Sequence, residues 1–328
     1  METGDPDDFL TLALLAGHPQ VNLIAVTVTP GTPHQIGVVR YCLDLFDLDI
    51  PVGAFNIDHK KARGTKDEHY VKCVSEWHYR SFGDIPPSTD ALVGWEVLRD
   101  HLGPDTTLVT GGPLKNTGKL VDETNAHWNK APGALTQFGL PVDFGQLVIQ
   151  GGFAGDNIVP PEHRLPKFDG RTTCPTYNLN GDPKAAFKTI GFEGFRDWTR
   201  RPYMVSKNVC HGVVYDKVMH ERLKAVANPH PGLVQVIKGM EAYLARKPKG
   251  KKFHDPLAAM CALNPDIGTW AKVAVVRTKG EWGCLTGQEF YDRPSSEQVN
   301  QGSFNDNTVQ IITAYDHELF IQTMIGEA

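Results

Sequence analysis

The sequence predicts an α/β fold with an open, mainly parallel central sheet and helices on both faces. Segments of helical and strand character alternate along the first part of the chain. The run at residues 21–29, Val-Asn-Leu-Ile-Ala-Val-Thr-Val-Thr, is apolar enough for a strand buried on both faces. Glycine-rich turns follow two further strand-like runs, at Thr110-Gly111-Gly112 and Gln150-Gly151-Gly152, which would place loops along the carboxyl rim of such a sheet. At 328 residues and 41% apolar composition the chain can bury a large core, and no Gly/Ser-rich or charged linker divides it. One domain over residues 1–328 is therefore expected, with insertions near 56–87 and 162–173.

The elements follow in order. A first helix at 7–16 carries acidic residues at its positive end and stops at Gly17, with Pro19 beyond. The strand at 21–29 leads to a helix at 33–46 and a short strand at 52–55. Residues 56–87 are polar and aperiodic, an excursion long enough to cover a site. Ser88 or Thr89 can cap a helix reaching residue 102, followed by a strand at 107–110 and a helix from about Leu114. The second half reads as strands at 146–149, 203–205, 270–277, 282–285 and 308–314. Its helices read at 183–190, near 215–227 and 233–245, and at 317–325. No internal repeat is present.

The net charge of −5, without a basic stripe interleaved with aromatics, argues against nucleic-acid binding and for a small polar substrate. Six scattered cysteines lack any CxxC pair and read as free thiols of a reducing compartment. With no signal-like start and no membrane-length apolar run, the expected location is the cytoplasm.

Two acidic features carry chemistry. In Met1-Glu2-Thr3-Gly4-Asp5-Pro6-Asp7-Asp8 four carboxylates crowd before an apolar helix. Capping accounts for one of them, whereas adjacent carboxylates repel unless a cation such as Ca²⁺ neutralises them. In Phe253-His254-Asp255-Pro256 the Asp can simply cap the helix that Pro256 starts. Beside a metal-carboxylate cluster, however, His254 could protonate a leaving group. Thr110-Gly111-Gly112-Pro113 lacks both phosphate-loop spacings, and a tight turn presenting a carbonyl suits it better. Asn157 and Asn178 are loop residues whose amides could grip sugar hydroxyls.

Taken in order, these motifs resemble the inosine-uridine nucleoside hydrolase family over most of the chain. The resemblance rests on the acidic opening, Gly112-Pro113-Leu114-Lys115-Asn116, the Gly151 to Asn157 loop, Pro175-Thr176-Tyr177-Asn178 with Asp182-Pro183-Lys184-Ala185-Ala186, and His254-Asp255-Pro256-Leu257-Ala258. It implies a homo-oligomeric ribonucleoside N-glycosidase needing only nucleoside and water. One Ca²⁺ would be held by Asp8, Asp255 and the carbonyl of Gly111 or Thr110. Asp7, Asn157 and Asn178 would hold the ribose, and His254 would protonate the departing base.

The motif departs from the family in three places. Counting back from Asp7-Asp8 without a gap puts Thr3 at the carboxylate that activates water. Matching Gly4 to the family glycine puts Glu2 there instead, with Asp5 as the fallback. The family's first strand precedes the acidic motif, so either an upstream segment, with an Asp of its own, supplies it or the sheet lacks a central strand. Thr32 and Thr176 stand where the family has Asn and Glu near the sugar. The alternatives to a standard ribonucleosidase are therefore a hydrolase of a modified nucleoside or other N-glycoside, and a catalytically silent nucleoside- or sugar-binding member.

Overall fold

The structure, a computed structural model, describes residues 1–57, 79–130, 145–191, 202–292 and 308–328. Most of the excursion expected at 56–87, namely residues 58–78, lies outside the described residues, as does Cys73. The other five cysteines are free and buried. Among the described residues no helix is long and apolar enough to cross a membrane.

The first half contains α1 (Pro6–Ala16), β1 (Val26–Val28), α2 (Pro33–Asp44), β2 (Val52–Ala54), α3 (Tyr79–Phe82), β3 (Leu92–Val93), α4 (Gly94–His101), β4 (Thr107–Thr110), α5 (Lys115–Lys130) and β5 (Gln146–Gln150). Next come β6 (Thr173–Cys174), α6 (Tyr177–Asn180), α7 (Pro183–Gly191), β7 (Tyr203–Val205), α8 (Lys207–Cys210), β8 (Val214–Tyr215), α9 (Lys217–Lys224), α10 (Pro231–Leu244) and β9 (Lys251–Lys252). The chain closes with α11 (His254–Leu263), β10 (Gly268–Thr278), β11 (Glu281–Leu285), α12 (Gly287–Tyr291), β12 (Thr308–Tyr315) and α13 (His317–Ile325).

A seven-stranded sheet runs β4-β5-β7-β12-β10-β11-β6. Its β4 to β12 half is parallel, and β10, β11 and β6 extend it antiparallel. The β10–β11 hairpin turns through Lys279 and Gly280, both at positive φ, as the twist of a two-residue hairpin demands. Strand side chains alternate between two cores. Val148, Val205 and Ile312 join α1, α2, α10, α11 and α13 in one, while Leu147, Ile149, Met204 and Ile311 join α4, α5 and α7 in the other. Both faces are thus covered, as the α/β reading requires.

The expected strand at 21–29 shortens to three residues. It belongs to a separate parallel sheet, β1-β2-β3, with β1 at its edge. Between β1 and β4 lies a cavity of about 530 Å³ lined by Leu23, Val26, Val109, Thr110, Asp8 and Asp255, among others. Among the described residues no strand neighbours residues 21–25 on that side, and they leave the extended ladder. Among the described residues Met1 pairs there, donating to the Thr27 carbonyl at 2.8 Å and accepting from the Thr29 N–H at 2.9 Å. The helix expected from residue 88 or 89 begins instead at Gly94, because Leu92 and Val93 pair with β2.

Candidate active site

Four segments meet at the carboxyl rim of the parallel strands: the start of α1, the turn after β4, α6, and the start of α11. Leu- and Ala-rich α1 forms behind Pro6 at its first position and packs against α10, α11 and α2, which fixes its acidic first turn. Asp7 is buried, and its Oδ2 accepts from the backbone N–H groups of His254 (2.9 Å) and Asp255 (3.3 Å). One helix therefore supplies the cap of another, and α11 starts two residues before Pro256. Asp7 Oδ1 lies 2.9 Å from Nζ of buried Lys251, which also reaches Asp5 at 2.9 Å. Burial alone would raise the Asp7 carboxyl. Lys251, His254 and the backbone donors outweigh that and hold it below the usual range.

Asp8 divides its carboxylate. Its Oδ2 accepts from the Asp5 N–H at 3.0 Å, the expected capping role, while its buried Oδ1 has no partner. The Asp8 and Asp255 carboxyls lie against each other, and burial followed by the surrounding negative charge pushes both pKa values well up. Such a pair holds a proton or attracts a cation. A Cβ on Gly111 would sit 2.5 Å from Asp255 Oδ2, so glycine is what lets the β4 turn close on this carboxylate.

Glu2 is buried beside them, its Oε2 unpartnered. Burial, followed by the charges of Asp5 and Asp7, raises its pKa to about 7 against the opposing pull of the amino terminus and a hydrogen bond with Tyr177. His254 has Nδ1 4.0 Å from Asp7 Oδ2 and a buried, unpartnered Nε2. Burial, reinforced by Lys251, Lys252 and Lys167 and only partly offset by Asp7, lowers its pKa to about 4. Its imidazole is neutral at pH 7.

The structure thus brings Glu2, Asp7, Asp8, Gly111, His254 and Asp255 together. Asn178, buried in α6 next to Tyr177, donates to the Gln150 carbonyl and side chain at 3.0 and 2.6 Å. Asn157 instead donates to the Cys284 carbonyl at 2.9 Å and to Glu289 at 3.3 Å, on the β11 side. Among the described residues no contact joins Asn157 to the carboxylates. Thr32 caps α2 by accepting from the Gln35 N–H.

Lys251 escapes sequence reading. It sits in Lys247-Pro248-Lys249-Gly250-Lys251-Lys252, a basic turn that reads as solvated, and Lys247 and Lys249 are exposed. Its burial against Asp7 is a tertiary fact. Lys251→Met should cost about 3–5 kcal/mol in a denaturant unfolding series, because it strands a buried carboxylate. A loss under about 1 kcal/mol would show the pair to be dispensable.

The sequence profile of the inosine-uridine preferring nucleoside hydrolases matches residues 2–322. The chain belongs to that family. It is an N-glycosyl hydrolase that acts on nucleosides. Among relatives, it is 29% identical over 293 residues to an uncharacterised protein of Aquifex aeolicus, covering 87% of this chain and 89% of that one. An uncharacterised protein of Schizosaccharomyces pombe is 26% identical over 84% of this chain and 83% of its own. An inosine-guanosine nucleoside hydrolase shares the fold at a TM-score of 0.65 and 18% identity, with 99% of this chain and 97% of that one covered. A plant nucleoside hydrolase does so at 0.63 and 18%, with the same coverage.

The nucleoside hydrolase site has donors suited to a hard divalent cation. Asp8 Oδ1 and Glu2 Oε2 are buried oxygens without partners among the described residues, and Asp8 faces Asp255. Among the described residues no three His, Cys, Asp or Glu side chains surround a common metal position. A cation's shell would accordingly rest on the Asp8 and Asp255 pair and be completed by backbone oxygens, such as that of Gly111, and by water.

Proposed function

We propose that this nucleoside hydrolase is a calcium-dependent ribonucleosidase that releases ribose and free base. The observation that carries the reading is the convergence of Glu2, Asp8, Asp255 and His254 at one rim. Asp8, Asp255 and the Gly111 carbonyl would hold the cation. When bound, it supplies positive charge that acidifies and orients water.

Glu2 takes the proton of the attacking water at its free Oε2; a carboxyl with a pKa near 7 is deprotonated often enough to act and basic enough to be useful. The C1′–N bond breaks with its electron pair leaving on the base nitrogen, and the ribosyl cation that develops is stabilised by neighbouring anionic oxygens. His254 takes up a proton before the step, and the imidazolium, made a stronger acid by burial and the neighbouring lysines, gives the departing base its Nε2 proton and returns to neutral. Asp7 positions that ring and the start of α11, with Lys251 holding it ionised. Asn178 would meet a ribose hydroxyl through its amide oxygen, its NH₂ being held by Gln150, while Asn157 would reach the sugar only by exchanging its contacts to β11 and Glu289.

The test is ribose release from inosine, uridine, adenosine, guanosine and cytidine with added Ca²⁺ and with chelator. Chelator-sensitive release from at least one is expected. Release that survives complete chelation would remove calcium from the reading, and none under either condition would remove the ribonucleoside.

A further inference from the structure

Next to His254 lies a cluster that the mechanism above does not use. Lys167, on the turn Pro166–Phe168, and Lys252, in β9, both direct Nζ at Nδ1 of His211, the latter at 3.2 Å. Lys207, the first residue of α8, hydrogen-bonds the Pro175 carbonyl at 2.8 Å. Lys167 and Lys207 both lie against the face of Phe168, at 4.5 and 6.0 Å. The His211 ring packs on His254 with centroids 4.5 Å apart.

Three ammonium groups and an imidazole thus face one another, and among the described residues none of the three lysines is in an ion pair. Lys251, by contrast, has Asp5 and Asp7. Burial and the charges of Lys252 and Lys207 pull Lys167 down to about 8. Burial, with His254 and the three lysines, keeps His211 neutral. Like charges held this close call for an anion. One residue from the Pro175 carbonyl, Thr176 is buried with its hydroxyl unpartnered, a neutral donor where the family motif carries Glu. A carboxylate there would repel an anionic substrate, and a threonine hydroxyl does not.

We infer that Lys167, Lys207 and Lys252 bind a phosphomonoester of the substrate, so that this chain hydrolyses nucleoside monophosphates in preference to nucleosides. The inference rests on the proposed nucleosidase reading and narrows its substrate. Water adds to C1′ as the C1′–N bond breaks, one proton passes to the base nitrogen, and the products are ribose phosphate and free base. The phosphate ester stays intact, and the lysines bind it without taking part in the bond change.

The experiment compares kcat/KM for inosine and for its 5′- and 3′-monophosphates, in the full chain and in Lys167→Ala and Lys207→Ala. It also measures binding of inorganic phosphate by calorimetry. The expected result is a preference of roughly tenfold or more for one monophosphate, collapsing in both variants mainly through KM, as loss of a charged contact predicts. Inosine turned over as well as either monophosphate would overturn the inference while leaving the nucleosidase reading intact. If neither class is hydrolysed, that reading fails first. Phosphate binding that is weakened in both variants then upholds the anion site, and its absence in the parent protein overturns the site as well.

Discussion

Asp8→Asn should stabilise the calcium-free protein while abolishing both turnover and the stabilisation by calcium. The opposite signs follow from one geometry. Asp8 and Asp255 are buried against each other with Glu2 alongside, and burial followed by mutual charge raises the pKa of each. A carboxyl whose folded pKa is raised binds more protons in the folded state, so stability falls as pH rises from the ordinary carboxylate range to the raised value. For Glu2 that window runs from the ordinary carboxyl value of 4.5 to about 7. It corresponds to on the order of 3 kcal/mol. Chelated protein should accordingly have a higher Tm at pH 5 than at pH 8.

An asparagine keeps the shape of Asp8 and its acceptor for the Asp5 N–H but removes one charge, so the pH 8 penalty shrinks. In the parent protein, calcium at a hundred times its Kd adds about 3 kcal/mol; the variant loses this together with at least about 10³-fold in kcat. Thermal unfolding at pH 5 and pH 8, with calcium or chelator, measures all of it. A calcium-dependent rise in Tm as large in Asp8→Asn as in the parent would falsify the site assignment.

How much of this the sequence disclosed depended on how local each feature is. Helix α13 ends where the sequence places it because its signals lie inside it: Asp316 caps the start and Gly326, at positive φ, ends it. Residues 21–29 have strand composition, yet only Val26–Val28 form strand, since a ladder needs a neighbour and a cavity stands where one would be. The pairing of Asp8 with Asp255 was legible only through the family resemblance, for no local rule brings residues 247 positions apart into contact. Asp7 carried a sharper lesson. Its local surroundings permit a cap for α1, the resemblance implies a ribose contact, and the fold turns it to the N–H groups of α11 and to Lys251. Lys167, Lys207 and Lys252 are scattered surface-type residues in sequence, and only the packing of Phe168 and His211 draws them together.

Glu2→Gln is expected to lower kcat by about 10²–10⁴-fold with little change in KM, the size of effect that belongs to a general base. The parent rate should rise with pH toward a plateau above about 7, because the base works only when ionised, and the residual rate of the variant should lack that rise. A bound cation favours the ionised carboxylate, so calcium should move the rise to lower pH. The competing base is Asp5, whose carboxyl is raised to about 6 by burial and by Asp7, with Lys251 opposing. Its geometry argues against it: Asp5 is only half-buried and holds Lys251 at 2.9 Å, whereas Glu2 keeps a buried oxygen without a partner among the described residues. Asp5→Asn should therefore lose stability through Lys251 yet retain the pH rise. A variant Glu2→Gln with parental kcat and an unchanged profile would transfer the role to Asp5.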